Sequence, residues 1–166
     1  MPFYQKRGKI PDKKHVQFRG FNKNLFWEEL ISRQGFSHMY STVYHTNPPT
    51  SINEISSQKE YKIIERNKTH RHYHLKTSNM ISKGDVISSR VPLFYNKDIV
   101  INKCHPNTSS KNLYKNALAD EVLFIQSGEG VLRSNFGSLN LSHGDYVVIP
   151  RGVIWKLEIT SPMKIL

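Results

Sequence analysis

Glu121, Trp155 and a run of three histidines are where this sequence comes nearest to chemistry. Glu121 is separated from Gly128 by VLFIQS, and Gly144 is followed by DYVVI, Pro150, Arg151 and Gly152, with Trp155 three residues further on. Just upstream of Glu121 lie Tyr114, Lys115, Asn116 and Ala117. A carboxylate and side chains gathered at such corners could hold a divalent ion, provided that about three or four N, O or S donors converge at roughly 2 Å. The run THRHYHLKT offers a second donor set, because His70, His72 and His74 at period two would share one face of a strand.

Neither set completes a metal site. The histidine run lies among Lys68, Arg71 and Lys76, which put cationic groups where a divalent ion would bind, and no carboxylate is nearer than Glu65. His45, after Tyr44 and shortly before two prolines, is expected to be packed or hydrogen-bonded, and His143 to be a surface residue in a turn. No Ser-His-Asp, CxxC, P-loop or G-x-G-x-x-G pattern occurs, and Gly128-Glu129-Gly130 reads as a hairpin rather than a phosphate cradle.

The elements that must position these residues are short strands. Residues 85–95 (DVISSRVPLFY), 99–104 (IVINKC), 120–126 (DEVLFIQ), 130–135 (GVLRSN), 138–142 (SLNLS), 145–150 (DYVVIP) and 153–159 (VIWKLEI) are seven candidates at regular spacing. Between them Asn96-Lys97-Asp98, Gly128-Glu129-Gly130, Asn135-Phe136-Gly137 and His143-Gly144-Asp145 supply tight-turn residues, so antiparallel hairpins in sequence are expected. Upstream, residues 1–58 read as an irregular arm with some strands. There NLFWEELISRQG fits either a short helix capped by Asn24 and stopped by Gly35 or an aromatic-rich strand. SHMYSTVYH alternates like a strand, and NPPT must turn because Pro48 and Pro49 lack a donor N–H. Residues 59–166 are expected to form the barrel proper, beginning with the most polar part of the chain at 59–83.

The chain of 166 residues suffices for one core. Its single cysteine, Cys104, precludes an internal disulfide and suits a reducing compartment. An N-terminus charged from the start, with no apolar run long enough to span a bilayer, predicts a soluble cytoplasmic protein without membrane association. The excess of 24 Lys+Arg over 13 Asp+Glu gives a net charge of +11. Seven of those cations and one acid, Asp12, fall in residues 6–23, in a Gly- and Pro-punctuated stretch without helical periodicity. With no zinc knuckle, RNP-type strand or basic amphipathic helix, that stretch reads as an arm facing solvent or another subunit rather than nucleic acid.

The spacings E-x6-G and G-x5-P-x-G resemble the two signatures of metal-binding cupins, small jelly-roll barrels. In those signatures an HxH pair precedes the glutamate by three or four residues and a final histidine follows the second motif. Counted from the same anchors, the ligand positions here hold Tyr114 and Asn116, or Lys115 and Ala117, and Trp155 in place of the last histidine. The scaffold positions are kept and the ligands are not. Trp155 is therefore expected to fill the barrel interior. Glu121 is read as an acceptor for a neighbouring amide or basic residue, with a surviving functional carboxylate as the alternative. The expected fold is all-β, a cupin or jelly-roll-like antiparallel barrel, with no catalytic, cofactor-binding or metal-binding residue in the chain.

MPFYQKRGKIPDKKHVQFR, VYHTNPPT and KNALADEVLFIQSGEGVLRSNFGSLNLSHGDYVVIPRGVIW together resemble homogentisate 1,2-dioxygenase in its shorter bacterial form, most weakly over residues 51–85. The resemblance implies an enzyme of tyrosine and phenylalanine catabolism that opens homogentisate with O2 and Fe(II) to maleylacetoacetate. It further implies a bicupin whose first barrel is metal-free and whose iron, held by two His and one Glu, sits in a second barrel. This chain resembles the first barrel, so it is expected to be an incomplete bicupin that binds no iron itself and belongs to a homo-oligomer. Its ending at SPMKIL, in what reads as a strand, suggests truncation, with an expressed fragment or a stand-alone pseudo-cupin as the alternatives.

Overall fold

The structure is a computed structural model that describes residues 18–55 and 72–166. Two hairpins come first in the chain: β1 (Trp27–Ile31) with β2 (Ser41–His45), and β3 (Val91–Tyr95) with β4 (Val100–Lys103). Then follow β5 (Tyr114–Lys115), β6 (Glu121–Ser127), β7 (Gly130–Ser134), β8 (Gly137–Leu141), β9 (Tyr146–Ile149), β10 (Ile154–Ile159) and β11 (Lys164–Ile165). These seven form two sheets, ordered β5-β10-β7-β8 and β11-β6-β9, and every pairing is antiparallel. Cys104, directly after β4, bridges Ile165 and so brings β4 alongside β11. The resulting pair of sheets, β5-β10-β7-β8 and β4-β11-β6-β9, is an all-β double-sheet jelly roll.

Alternation along the strands builds the core. Leu123 and Ile125 of β6, Leu132 of β7, Leu141 of β8, Val147 and Ile149 of β9, and Trp155 and Leu157 of β10 all turn inward and are buried, with Met163, Ile165, Val86 and Cys104 closing the ends. Each of these side chains contributes roughly 1.5–3 kcal/mol relative to exposure.

Several expectations are corrected. Gly128-Glu129-Gly130 and His143-Gly144-Asp145 are not hairpins: β6 and β7 lie in different sheets, as do β8 and β9. They are corners that carry the chain across the barrel. Gly128 shows why its type matters, for its φ is +87° and a Cβ there would lie 2.5 Å from the Pro162 carbonyl oxygen. The first half of the 85–95 segment is a turn, not a strand. Asp85 Oδ1 accepts from the Ile87 N–H, the Ser88 N–H and the Ser88 hydroxyl at 3.1, 2.8 and 2.8 Å, and this side-chain cap outcompetes a ladder.

The ambiguous 24–35 segment is a strand, because its register with β2 (Trp27↔His45 through Ile31↔Ser41) gives it a tertiary partner. Its stop is a short 3-10 turn at Gly35–Ser37. His72 and His74 are exposed and lie outside any strand, so the period-two face does not form there; His70 is outside the described residues. Most of the basic stretch 6–23 is likewise outside them. No helix among the described residues is long and apolar enough to cross a membrane.

Candidate functional site

The positions that correspond to cupin ligands do meet, at the barrel end where β5 stops and β6 and β10 begin. Glu121 accepts from Arg90 through both carboxylate oxygens, Nη1 to Oε1 at 2.7 Å and Nη2 to Oε2 at 3.3 Å. The Tyr114 hydroxyl and the Asn116 side-chain amide donate to Oε1 at 3.2 and 3.1 Å. Tyr114 and Asn116, rather than Lys115 and Ala117, are thus the pair that faces the carboxylate. Ala117 is exposed and Lys115 points the other way, to Glu29.

Local backbone structure holds these groups in place. Asn116 Oδ1 accepts from the Leu118 and Ala119 N–H groups at 3.0 Å each, which closes the loop into β6, and its carbonyl accepts from Gly152 at 2.7 Å. Arg90 is anchored by donating Nε to the Val86 carbonyl at 3.2 Å, at the end of the Asp85 turn. The Arg90 guanidinium lies 5.5 Å from the Tyr114 ring centroid. Trp155 lies edge-on to Tyr114, centroids 5.5 Å apart and planes at 82°, and is 1% exposed. Among the described residues its indole N–H has no acceptor, so there this side chain is held by volume and ring contact rather than by polar bonds.

The arrangement leaves little chemistry free. Burial opposes ionisation of Glu121, yet the hydrogen bonds and charge of Arg90, with Asn116 and Tyr114, outweigh it and hold the carboxyl below the usual range. Burial and the adjacent Glu121 charge push the Tyr114 phenol up, so it stays protonated as a donor. A carboxylate this saturated is a poor general base. The donor set also does not fit a first-row metal, since one carboxylate, a phenol and an amide surround a guanidinium that already supplies the positive charge. Among the described residues no group of three or more His, Cys, Asp or Glu is placed to hold a metal ion.

The lowered Glu121 pKa predicts an acid-sensitive fold. A carboxyl whose folded pKa is depressed contributes stability that is whole above its unfolded value, about pH 4 to 5, and is lost as pH falls below that through the folded value. Melting temperatures taken downward from pH 7 should fall through this acid window, and Glu121→Gln should flatten the fall while lowering the plateau. Parallel curves for parent and variant would remove Glu121 from the acid response.

The remaining candidates disperse. His143 is exposed and its Nδ1 lies 2.7 Å from the Gln126 carbonyl oxygen. Cys104 is buried in the core. His45 is hydrogen-bonded, as expected, with Nε2 2.9 Å from Glu29 Oε2; Lys115 Nζ reaches Glu29 Oε1, also at 2.9 Å. That ion pair pins the β1–β2 hairpin to the barrel across 86 residues of sequence. Arg151 adds a second tie by donating to the Arg33 carbonyl at 2.5 Å, while Arg33 pairs with Asp120 at 2.8 Å. Between this hairpin end and the barrel mouth opens a cleft of about 920 Å³ lined in part by Arg33, His38, Leu118, Asp120 and Arg151. Neither the cleft nor the role of Arg90 was expected from the sequence; the only signal for Arg90 was that Glu121 would need a basic partner.

Fold and site together define a cupin-like jelly roll whose corner residues and glutamate are kept while its other ligand positions hold Tyr114, Asn116 and Trp155. A protein of Saccharolobus solfataricus named "putative dioxygenase" is 36% identical over 160 residues, 95% of this chain and 41% of that protein. The chain therefore spans well under half the length of this relative. No described family's sequence profile matches. Among solved structures, a cupin-2 domain protein of Shewanella frigidimarina is similar at 22% identity over 46% of this chain and 74% of its own, with a TM-score of 0.43. A cupin protein of Bacteroides fragilis is similar at 15% identity over 59% and 80%, with a TM-score of 0.46.

Proposed function

We propose that this chain is the metal-free first barrel of a cytoplasmic ring-cleaving dioxygenase of the homogentisate 1,2-dioxygenase type. In this reading, iron, O2 activation and opening of homogentisate to maleylacetoacetate belong to a second barrel outside these residues. One observation carries it: Arg90 sits on Glu121 where a cupin would hold its metal, so the barrel keeps its shape with an internal ion pair. Support for the dioxygenase class is the 36% identity to the Saccharolobus protein, of which this chain covers 41%. The barrel's task is then scaffolding, presenting the tied-down hairpin and the mouth to the catalytic half.

Oxygen uptake tests the reading. The 166-residue chain with added Fe(II) and ascorbate should show no consumption of O2 on addition of homogentisate. Co-expression with the coding sequence that supplies a second barrel should restore it. Turnover by the chain alone would overturn the assignment, and so would a second barrel that is fully active without this one.

A stand-alone binding module is the second reading, favoured by the cleft at the barrel mouth, whose volume falls within the range of small-molecule sites. Saturable binding of a small molecule that is abolished by a bulky residue at Ala119, in a chain with no catalytic companion, would favour it.

A further inference from the structure

We infer that the cleft between the β1–β2 hairpin end and the barrel mouth takes a small zwitterion, with its carboxylate on Arg151, its ammonium on Asp98 and an apolar body over Met39 and Leu118. Four loops build the walls: the β1–β2 connection brings Arg33 and Met39, the β3–β4 turn Asp98, the β5–β6 loop Leu118 and Asp120, and the β9–β10 turn Arg151. The volume of about 920 Å³ is ample for such a molecule. The assignment rests on the reading of this cleft as a small-molecule site.

Charge sorts the lining. Asp120 takes Arg33 Nη2 on Oδ2 at 2.8 Å and the Arg151 backbone N–H on Oδ1 at 2.9 Å, so the charges of Arg33 and Asp120 cancel. The Arg151 guanidinium is held differently. Its Nη2 donates to the Arg33 carbonyl at 2.5 Å, a neutral acceptor that fixes the group without cancelling its charge, and no carboxylate among the described residues pairs with it. A guanidinium so placed, with most of its N–H donors unused, suits a carboxylate. Asp98 is the opposite case. Asn96 Oδ1 accepts from the Asp98 and Ile99 N–H groups at 2.8 and 2.7 Å and so sets the turn, while the Asp98 carboxylate meets no cation among the described residues. A ligand with a single charge would leave one of these two groups unmatched, and a dianion such as phosphate would face both carboxylates of the lining. Met39 and Leu118 are 74% and 89% exposed, so the same cleft offers apolar surface to the ligand's body.

Isothermal titration calorimetry at neutral pH with three indoles tests it. L-tryptophan carries both charges, tryptamine lacks the carboxylate and indole-3-propionate lacks the ammonium. Tryptophan should bind saturably with Kd below about 1 mM, and each singly charged relative roughly tenfold or more weaker. Asp98→Asn should bring tryptophan down to the level of indole-3-propionate without weakening indole-3-propionate itself. Arg151→Gln should bring tryptophan down to the level of tryptamine. The Asp98 carboxylate makes no bond among the described residues, so its variant keeps the fold, as circular dichroism can check, and it carries the test if loss of the Arg151 tie loosens the hairpin. Tryptamine or indole-3-propionate binding as tightly as tryptophan would overturn the zwitterion while keeping the cleft as a small-molecule site. Tryptophan binding that Asp98→Asn leaves unchanged would also overturn it, and binding of none of the three would remove both the zwitterion and the binding-module reading beneath it.

Discussion

Arg90→Leu should lower the free energy of unfolding at neutral pH by about 3–5 kcal/mol, as read from urea denaturation, with no loss of compactness in the surviving folded state. The size follows from what the substitution leaves behind. The Arg90 and Glu121 side chains are only 17% and 10% exposed. Removing the guanidinium strands a carboxylate whose remaining partners among the described residues are one phenol and one amide. Those two bonds soften the penalty without neutralising the charge.

Two further measurements separate this cause from loss of packing. The double variant Arg90→Leu/Glu121→Leu should recover most of the loss, because a buried pair replaced by well-fitting apolar groups is often neutral. The pH slope of the single variant should also reverse. With its cation gone, burial drives the Glu121 carboxyl above its unfolded value, so the variant should gain stability relative to parent as pH falls, where the parent loses it. A single variant less than about 1 kcal/mol below parent would mean that the pair is too well hydrated to matter.

The corners of this barrel were legible in the sequence, and the pairing across it was not. Gly128, Gly144, Pro150 and Gly152 announce themselves because a backbone that must adopt positive φ or turn sharply restricts residue type at each point. The inward set of β6, β9 and β10 follows from period-two alternation, and Trp155 was expected in the core for its size. Which sheet each strand joins leaves no such local mark. Gly128-Glu129-Gly130 has the composition of a hairpin whether the next strand returns alongside β6 or crosses to the facing sheet, and the contact packed against its corner, Pro162, comes from more than thirty residues away.

Arg90 was hidden for a related reason. It lies 31 residues from Glu121, at the end of a segment whose β-branched residues suggest a strand, and only the Asp85 cap turns it toward the barrel mouth. The open helix-or-strand choice at residues 24–35 was settled in the same way, by pairing with β2 rather than by propensity. The signature spacing did locate the site. Four residues between Asn116 and Glu121, rather than three from Ala117, place donors on the carboxylate, and only the structure could choose between them.

Trp155→His should fail to create a metal site while costing roughly 2–5 kcal/mol of stability. On paper it restores the last ligand of the cupin signature beside Glu121, which makes it the informative substitution. The site it would enter is already organised around a cation. Arg90 holds both oxygens of Glu121, so a divalent ion would have to displace a guanidinium with a carboxylate, one imidazole, a phenol and an amide as its only donors. The stability cost has two sources. Imidazole leaves part of the indole volume empty against Tyr114 and the β7 and β10 side chains, and it buries polar nitrogens where the indole N–H already lacks an acceptor among the described residues. Trp155→Phe should therefore be milder, about 1–2 kcal/mol, because it opens a smaller cavity and removes that unsatisfied donor. Thermal denaturation orders the three proteins, and elemental analysis after dialysis against Fe(II) reads the metal. Stoichiometric iron on Trp155→His would show that the guanidinium yields to a metal and that this barrel is one substitution away from binding it.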